Sequence, residues 1–159
     1  MVASTVRLVD TGWVAIAVEE LEALIGKPFP GGSYTIEPYR HYLMQDAVGG
    51  HATREGEAST MEVYYGALAG MGRSVDELFT LVDATADDGP MFGEAGIELS
   101  RPLRIGETYT VSGGITSVVR KEGRKAGVFD IVTFRLELAG EDGRVAAVST
   151  NSFIFPRRD

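Results

Sequence analysis

The apolar positions in the first half of the chain recur every three or four residues, which is the spacing of one face of a helix. Three segments show this pattern, at residues 18–25, 38–48 and 75–82. Pro38 suits the start of the second segment, because the first turn of a helix has no use for the N–H that proline lacks. Ser74 can cap the third segment. The pattern therefore predicts three short helices.

A fourth helix is predicted where bulky and small residues are mixed, in the stretch STMEVYYGALAGMG at residues 59–72. Ser59 and Glu62 stand three apart, which is the spacing of a capping box at the start of a helix. Gly66 and Gly70 each cost a helix about 1 kcal/mol relative to alanine. Their presence suggests that a sheet or another backbone presses close to this helix. The alternative is a loose loop.

The second half of the chain has the hydrophobic period of strands. Apolar residues at 132, 134, 136 and 138 alternate with polar ones, which indicates a strand with one buried face. Tight turns are predicted at 122–125 and 140–143. The Gly-rich stretch at 112–117 is predicted to mark a bulge or a bend. Residues 1–159 are thus predicted to form a single α+β domain, in which helices precede an antiparallel sheet.

Composition narrows the possible functions. The 159 residues carry a formal net charge of −8, which repels nucleic-acid phosphates, and no dense Lys/Arg cluster offsets it. The chain has no cysteine, and its two histidines come without carboxylates at a metal-binding spacing. The apolar run WVAIAV near the N-terminus is far shorter than the ~20 residues that span a bilayer. We therefore expect a cytoplasmic protein that binds no nucleic acid, no membrane and no metal.

Several stretches of the second half resemble a known family. They are ELSRPLRIGETYTV at 98–111, the basic turn at 122–125, GEDG at 140–143 and AVSTNSFIFPR at 147–157. Together with ALIGKPF near the start of the chain, they are similar to MaoC-like dehydratases, specifically to the N-terminal-type domains of that family. The resemblance implies the hotdog fold, in which a curved antiparallel sheet is wrapped around a central helix. The small residues at 66–70 would then be the place where the sheet approaches that helix.

The resemblance also implies a reaction. Members of this family add water to a trans-2-enoyl thioester, or remove it from a (3R)-3-hydroxyacyl thioester. The implied activity is that of a hydro-lyase whose acyl group is carried by coenzyme A or acyl carrier protein, with no separate cofactor. Water loses a proton as it attacks C3 and C2 gains one, so the reaction needs a general acid and base. It also needs N–H donors at the developing enolate oxygen.

The stretch QDAVGGH at residues 45–51 contains the candidate proton carriers. Active members of the family carry G-D-x-N-P-x-H, and Asp46 and His51 have the same separation as the Asp and His of that motif. The resemblance therefore implies that Asp46 and His51 are catalytic. However, neither the Gly nor the Asn-Pro of the motif is present. In a second register, residues 47–50 match the A-V-G-D of N-terminal-type domains, Gly50 replaces the acid, and His51 is an ordinary loop residue.

Three functions remain open on these residues. One is a hydratase or dehydratase that uses Asp46 and His51. Another is a non-catalytic hotdog partner that holds the substrate in a heteromeric dehydratase. The last is a hotdog thioesterase, with Glu57 or Glu62 as its acid. Each implies a homodimer or a heterodimer with another hotdog subunit, because a single sheet leaves an edge strand exposed. The other histidine, His41, is expected to be a packing residue.

Overall fold

A computed structural model describes residues 15–50 and 53–157 of the chain. Within these residues there are four α-helices, which are α1 (Val18–Glu22), α2 (Pro38–Ala47), α3 (Met61–Gly70) and α4 (Val75–Leu81). The strands of the same part are β1 (Gly32–Thr35), β2 (Met91–Leu99), β3 (Thr108–Gly123), β4 (Gly127–Ala139) and β5 (Val145–Arg157). All four predicted helices are present. The first is shorter than expected, because the chain turns after Glu22 and reaches Gly26 with a φ of 79°.

The strands form one antiparallel sheet in the order β1-β3-β4-β5-β2. The three long strands at its centre are joined by tight turns, as expected. The register of β3 on β4 shifts between Ile115 and Ser117, which confirms the predicted bulge. Helix α3 contacts every one of the five strands. Because a flat sheet could not reach one short helix with all its strands, the sheet is bent around α3, and the expected architecture is confirmed.

The glycines of α3 allow this close approach. A Cβ at Gly66 would lie 2.7 Å from the Cδ1 atom of Tyr34 in β1, and a Cβ at Gly70 would lie 2.8 Å from the Cβ of Val111 in β3. Real side chains do not tolerate contacts of this length. The predicted contact between small residues and a sheet is therefore present, and the loop alternative is wrong.

We expect Gly70→Ala to lower the free energy of unfolding by about 1–3 kcal/mol, although alanine is the better helix former. The added methyl group would overlap Val111, so the sheet or the helix must shift. Urea unfolding followed by circular dichroism measures the difference. Gly96→Ala in β2 is the matched control, because the nearest atom to its added Cβ is 3.8 Å away. Equal stability of the two variants would contradict the role given to Gly70.

A buried carboxylate connects the end of β3, the beginning of β4 and the end of β5. Asp130 of β4 is fully buried, and it accepts two hydrogen bonds of 2.8 Å from Arg120 and one of 2.7 Å from Arg157. Arg157 also donates to the carbonyl oxygens of Val82 and Asp83, just after α4. Burial alone would raise the pKa of Asp130, but the two guanidinium groups outweigh it and hold this pKa below the ordinary 3.8.

Candidate functional site

A cavity of about 430 Å³ lies between the end of α2, the connector that leads into α3, and the segment that follows β2. Its polar lining consists of Gln45, Thr53, Arg54, Glu57, Ser59 and Thr60. Its apolar lining includes Leu99 and Leu103. This volume falls within the range of small-molecule sites, which combine apolar walls with a few polar groups. The cavity is therefore the first candidate for a substrate site, and we call it the main cavity.

Asp46 lies next to this cavity in sequence but is not part of its lining. It occupies the last turn of α2, where it is exposed, between Gln45, which lines the cavity, and Ala47. His51 lies outside the described residues. The pairing of Asp46 with His51 therefore stays a prediction.

His41 holds the segment that leads into α3. It is the buried residue of α2, and its Nε2 accepts a hydrogen bond of 2.9 Å from the backbone N–H of Ser59. That nitrogen is thereby engaged within the protein. The expectation that His41 is a packing residue is confirmed.

Glu62 is the buried acid of the central helix. It is 2% exposed, and its Oε2 accepts a hydrogen bond of 2.8 Å from the hydroxyl of Tyr34. Burial and this hydrogen bond raise the pKa of Tyr34 to about 12. The two residues line a second cavity of about 220 Å³ between α2, α3 and β1.

The predicted capping box of Ser59 and Glu62 is wrong. The hydroxyl of Ser59 accepts from the backbone N–H of Met61 instead, while the carboxylate of Glu62 is bonded to Tyr34. The reason is visible in the spacing: Glu62, Gly66 and Gly70 are four residues apart and so share one helix face. Because the two glycines face the sheet, Glu62 must face it as well.

The sequence leaves open whether Asn151 and Ser152 of β5 face a substrate or the solvent, and the structure buries both of them. Asn151 and Ser149 are fully buried, and Nδ2 of Asn151 donates to Oγ of Ser149 at 2.9 Å. Within the described part of the chain, Oδ1 of Asn151 has no hydrogen-bond partner. Asn151 stands opposite the core residue Phe134 of β4, so the pair is on the same face of the sheet as the core. Alternate residues of β5 share one face, and the apolar Ala147 and Phe155 indicate that this face of the strand is the buried one.

Within residues 15–50 and 53–157, no three His, Asp or Glu side chains gather as metal ligands. The helices of this part are too short or too polar to traverse a bilayer.

Comparison with known proteins gives a likeness of structure only. No protein-family model matches the sequence, and no curated protein does. Among solved structures, a chain of the ChsH1–ChsH2 complex from Mycobacterium tuberculosis superposes with a TM-score of 0.67 at 15% identity, covering 89% of this chain and 92% of that one.

Two further solved structures are similar. The HadBC complex of M. tuberculosis, a 3R-hydroxyacyl-ACP dehydratase, gives a TM-score of 0.60 at 17% identity over 82% of this chain and 96% of that one. A MaoC-like dehydratase from Rhodospirillum rubrum gives 0.56 at 17% identity over 87% and 97%. At such identities the likeness concerns the fold and not the activity. The chain therefore has the hotdog fold, which it shares with these solved structures.

Proposed function

We propose that this chain is a subunit of an enoyl-thioester hydratase or 3-hydroxyacyl-thioester dehydratase. The observation that supports the proposal best is the main cavity, which opens at the start of the enclosed helix α3, on a fold shared with HadBC. Ser59 and Thr60 line the cavity immediately before the first turn of α3. The N-terminal end of a helix carries a partial positive charge, which favours the oxyanion that forms during this reaction.

In the proposed reaction, Asp46 and His51 carry the protons. Water adds its oxygen to C3 of the enoyl thioester while one of these two groups takes a proton from it. A proton then reaches C2, and the product is the 3-hydroxyacyl thioester; dehydration is the reverse. Coenzyme A or acyl carrier protein enters as part of the substrate. The absence of any other cofactor and a cytoplasmic location are predictions of the same proposal.

The proposal includes a second hotdog subunit along β2. Eight of the nine residues of this edge strand are exposed, among them the apolar Met91 at 53% and Phe92 at 49%. An open edge with apolar side chains is a surface for pairing with another strand. The similar structures ChsH1–ChsH2 and HadBC are both complexes of two proteins, which favours a heterodimer over a homodimer.

Two alternatives differ in which groups do the chemistry. The exposed position of Asp46 favours a chain that holds the substrate while its partner supplies the acid and base. A thioesterase would use Glu57 or Glu62. Glu57 lines the main cavity, whereas Glu62 does not line it and has one carboxylate oxygen bonded to Tyr34. We prefer the dehydratase proposal because a 3R-hydroxyacyl-ACP dehydratase is among the solved structures of similar fold.

Purification of the chain alone, and together with a hotdog protein encoded beside it, tests the proposal. We expect hydration of crotonyl-CoA, measured as loss of absorbance of the enoyl thioester, and no release of free thiol. Analytical ultracentrifugation shows whether the active species is a dimer. Activity of the partner alone, unchanged when this chain is added, would contradict the proposal. Release of thiol without hydration would favour the thioesterase.

A further inference from the structure

The second cavity, which we call the α2–α3 groove, is a separate site. It measures about 220 Å³ and is lined by Tyr34, Arg40, Met44, Glu62, Tyr65 and Ala69. None of these residues lines the main cavity. The volume is below that of sites for drug-sized ligands, so the groove suits a smaller molecule.

The floor of the groove carries a buried carboxyl group. Glu62 is 2% exposed, and among the described residues it forms no ion pair. A buried carboxylate without a cation is costly, so a ligand that brings a cation to it gains binding energy. Tyr34 and Tyr65 also line the groove, and aromatic rings attract an ammonium group.

The rim of the groove carries a positive charge. Arg40 of α2 is exposed, and it forms no ion pair within the described part of the chain. The Tyr34 hydroxyl donates to Glu62 at 2.8 Å, and Arg40 lines the same groove, so the three groups border one cavity. The rest of the lining is apolar, from Met44 and Ala69.

We propose that the α2–α3 groove binds a free α-amino acid with an apolar side chain. The ammonium group would lie against Glu62 between the two tyrosines, and the carboxylate would meet the guanidinium of Arg40. The side chain would rest on Met44 and Ala69. This ligand matches each charged group of the groove with its opposite, which neither a simple amine nor a simple acid does. The proposal does not depend on the proposed dehydratase activity.

Calorimetric titration of the full chain with L-leucine tests the proposal, with three analogues of the same skeleton. These are 4-methylpentanoate, which lacks the ammonium group; 3-methylbutylamine, which lacks the carboxylate; and 2-hydroxy-4-methylpentanoate, which has a hydroxyl in place of the ammonium. We expect leucine to bind with a Kd of about 1 mM or tighter, and each analogue to bind at least about tenfold more weakly. An analogue that binds as well as leucine would overturn the proposal, as would no binding of leucine, methionine or phenylalanine.

Variants locate the site. Arg40→Gln and Glu62→Gln are each expected to weaken leucine binding at least about tenfold, while Arg54→Gln, at the main cavity, leaves it unchanged. Arg40 is exposed, so Arg40→Gln is expected to fold, and glutamine at position 62 still offers Tyr34 a hydrogen-bond acceptor. Crotonyl-CoA hydration is expected to be the same in Arg40→Gln as in the unaltered chain. Leucine binding that survives the Arg40 substitution would place the ligand elsewhere and overturn the proposal.

Discussion

Asp46→Asn and His51→Ala are each expected to lower the rate of crotonyl-CoA hydration by about 10²–10⁴-fold, which is the usual contribution of a general acid or base. Asparagine keeps the shape of aspartate but cannot take up a proton. Asp46 is exposed at the end of α2, so its replacement should change the stability by less than about 0.5 kcal/mol. The rate loss would then reflect chemistry and not unfolding.

The control for this experiment is Asp76→Asn. Asp76 is also an exposed carboxylate on a helix, but it belongs to α4 and lines neither cavity. Its replacement should leave the hydration rate unchanged. Full activity of Asp46→Asn in the presence of the partner subunit would refute the catalytic role of Asp46 and support the substrate-holding alternative.

Asp130→Asn is expected to lower the free energy of unfolding by about 3–5 kcal/mol, a large part of the 5–15 kcal/mol that is typical of a whole domain. The substitution removes the only negative charge in contact with Arg157 among the described ion pairs, and the side chain of Arg157 is 5% exposed. An arginine left buried without its carboxylate has lost its solvation in water, and the carbonyl oxygens of Val82 and Asp83 that stay bonded to it carry no full negative charge. Chemical denaturation at pH 7 measures the difference.

The pH dependence gives this prediction a second test. Because the folded-state pKa of Asp130 lies below 3.8, its contribution to stability is complete above that value and is lost as the pH falls through the folded-state pKa. The difference between Asp130→Asn and the unaltered protein should therefore shrink in strong acid. Glu137→Gln is the control, since its ion pair with Arg135 is partly exposed and such pairs contribute about 1 kcal/mol or less. Equal losses in the two variants would rule out a special role for Asp130.

Much of the fold could be predicted from local patterns. The alternation along β4 indicated one buried face, and Gly66 and Gly70 indicated a close contact between α3 and a sheet. Each of these patterns spans only a few neighbouring residues, so a single sequence is enough to recognise it. The pairing of β1 and β2 with opposite edges of the sheet depends on contacts between distant segments, and local spacing does not contain it. The resemblance to a family predicts a curved antiparallel sheet around a helix, and the strand order is known from the structure alone.

The candidate site was harder to predict. Asp46 and His51 are five positions apart in sequence, but a helix end and two glycines lie between them, so the sequence separation does not determine the distance between the two side chains. Glu62 was considered as an acid and also, incorrectly, as part of a capping box. The box motif is local and weak, whereas the bond to Tyr34 joins residues 28 positions apart. Glu62 and Gly66 share one face of α3, and the glycines identify that face as the one covered by the sheet. This spacing is therefore a stronger indication of where Glu62 lies than the capping-box motif is.

The order of the strands separates two kinds of contact. Tyr34 of β1 belongs to the α2–α3 groove, while the edge offered to a second subunit is β2, and β3, β4 and β5 lie between them. The two margins nevertheless meet at α3, because the ring of Phe92 in β2 packs against Tyr64, and Tyr64 packs against Tyr65 of the groove. Residues that share a packing partner have coupled effects when they are substituted. A change of partner along one margin of the sheet is therefore expected to alter binding at the other margin.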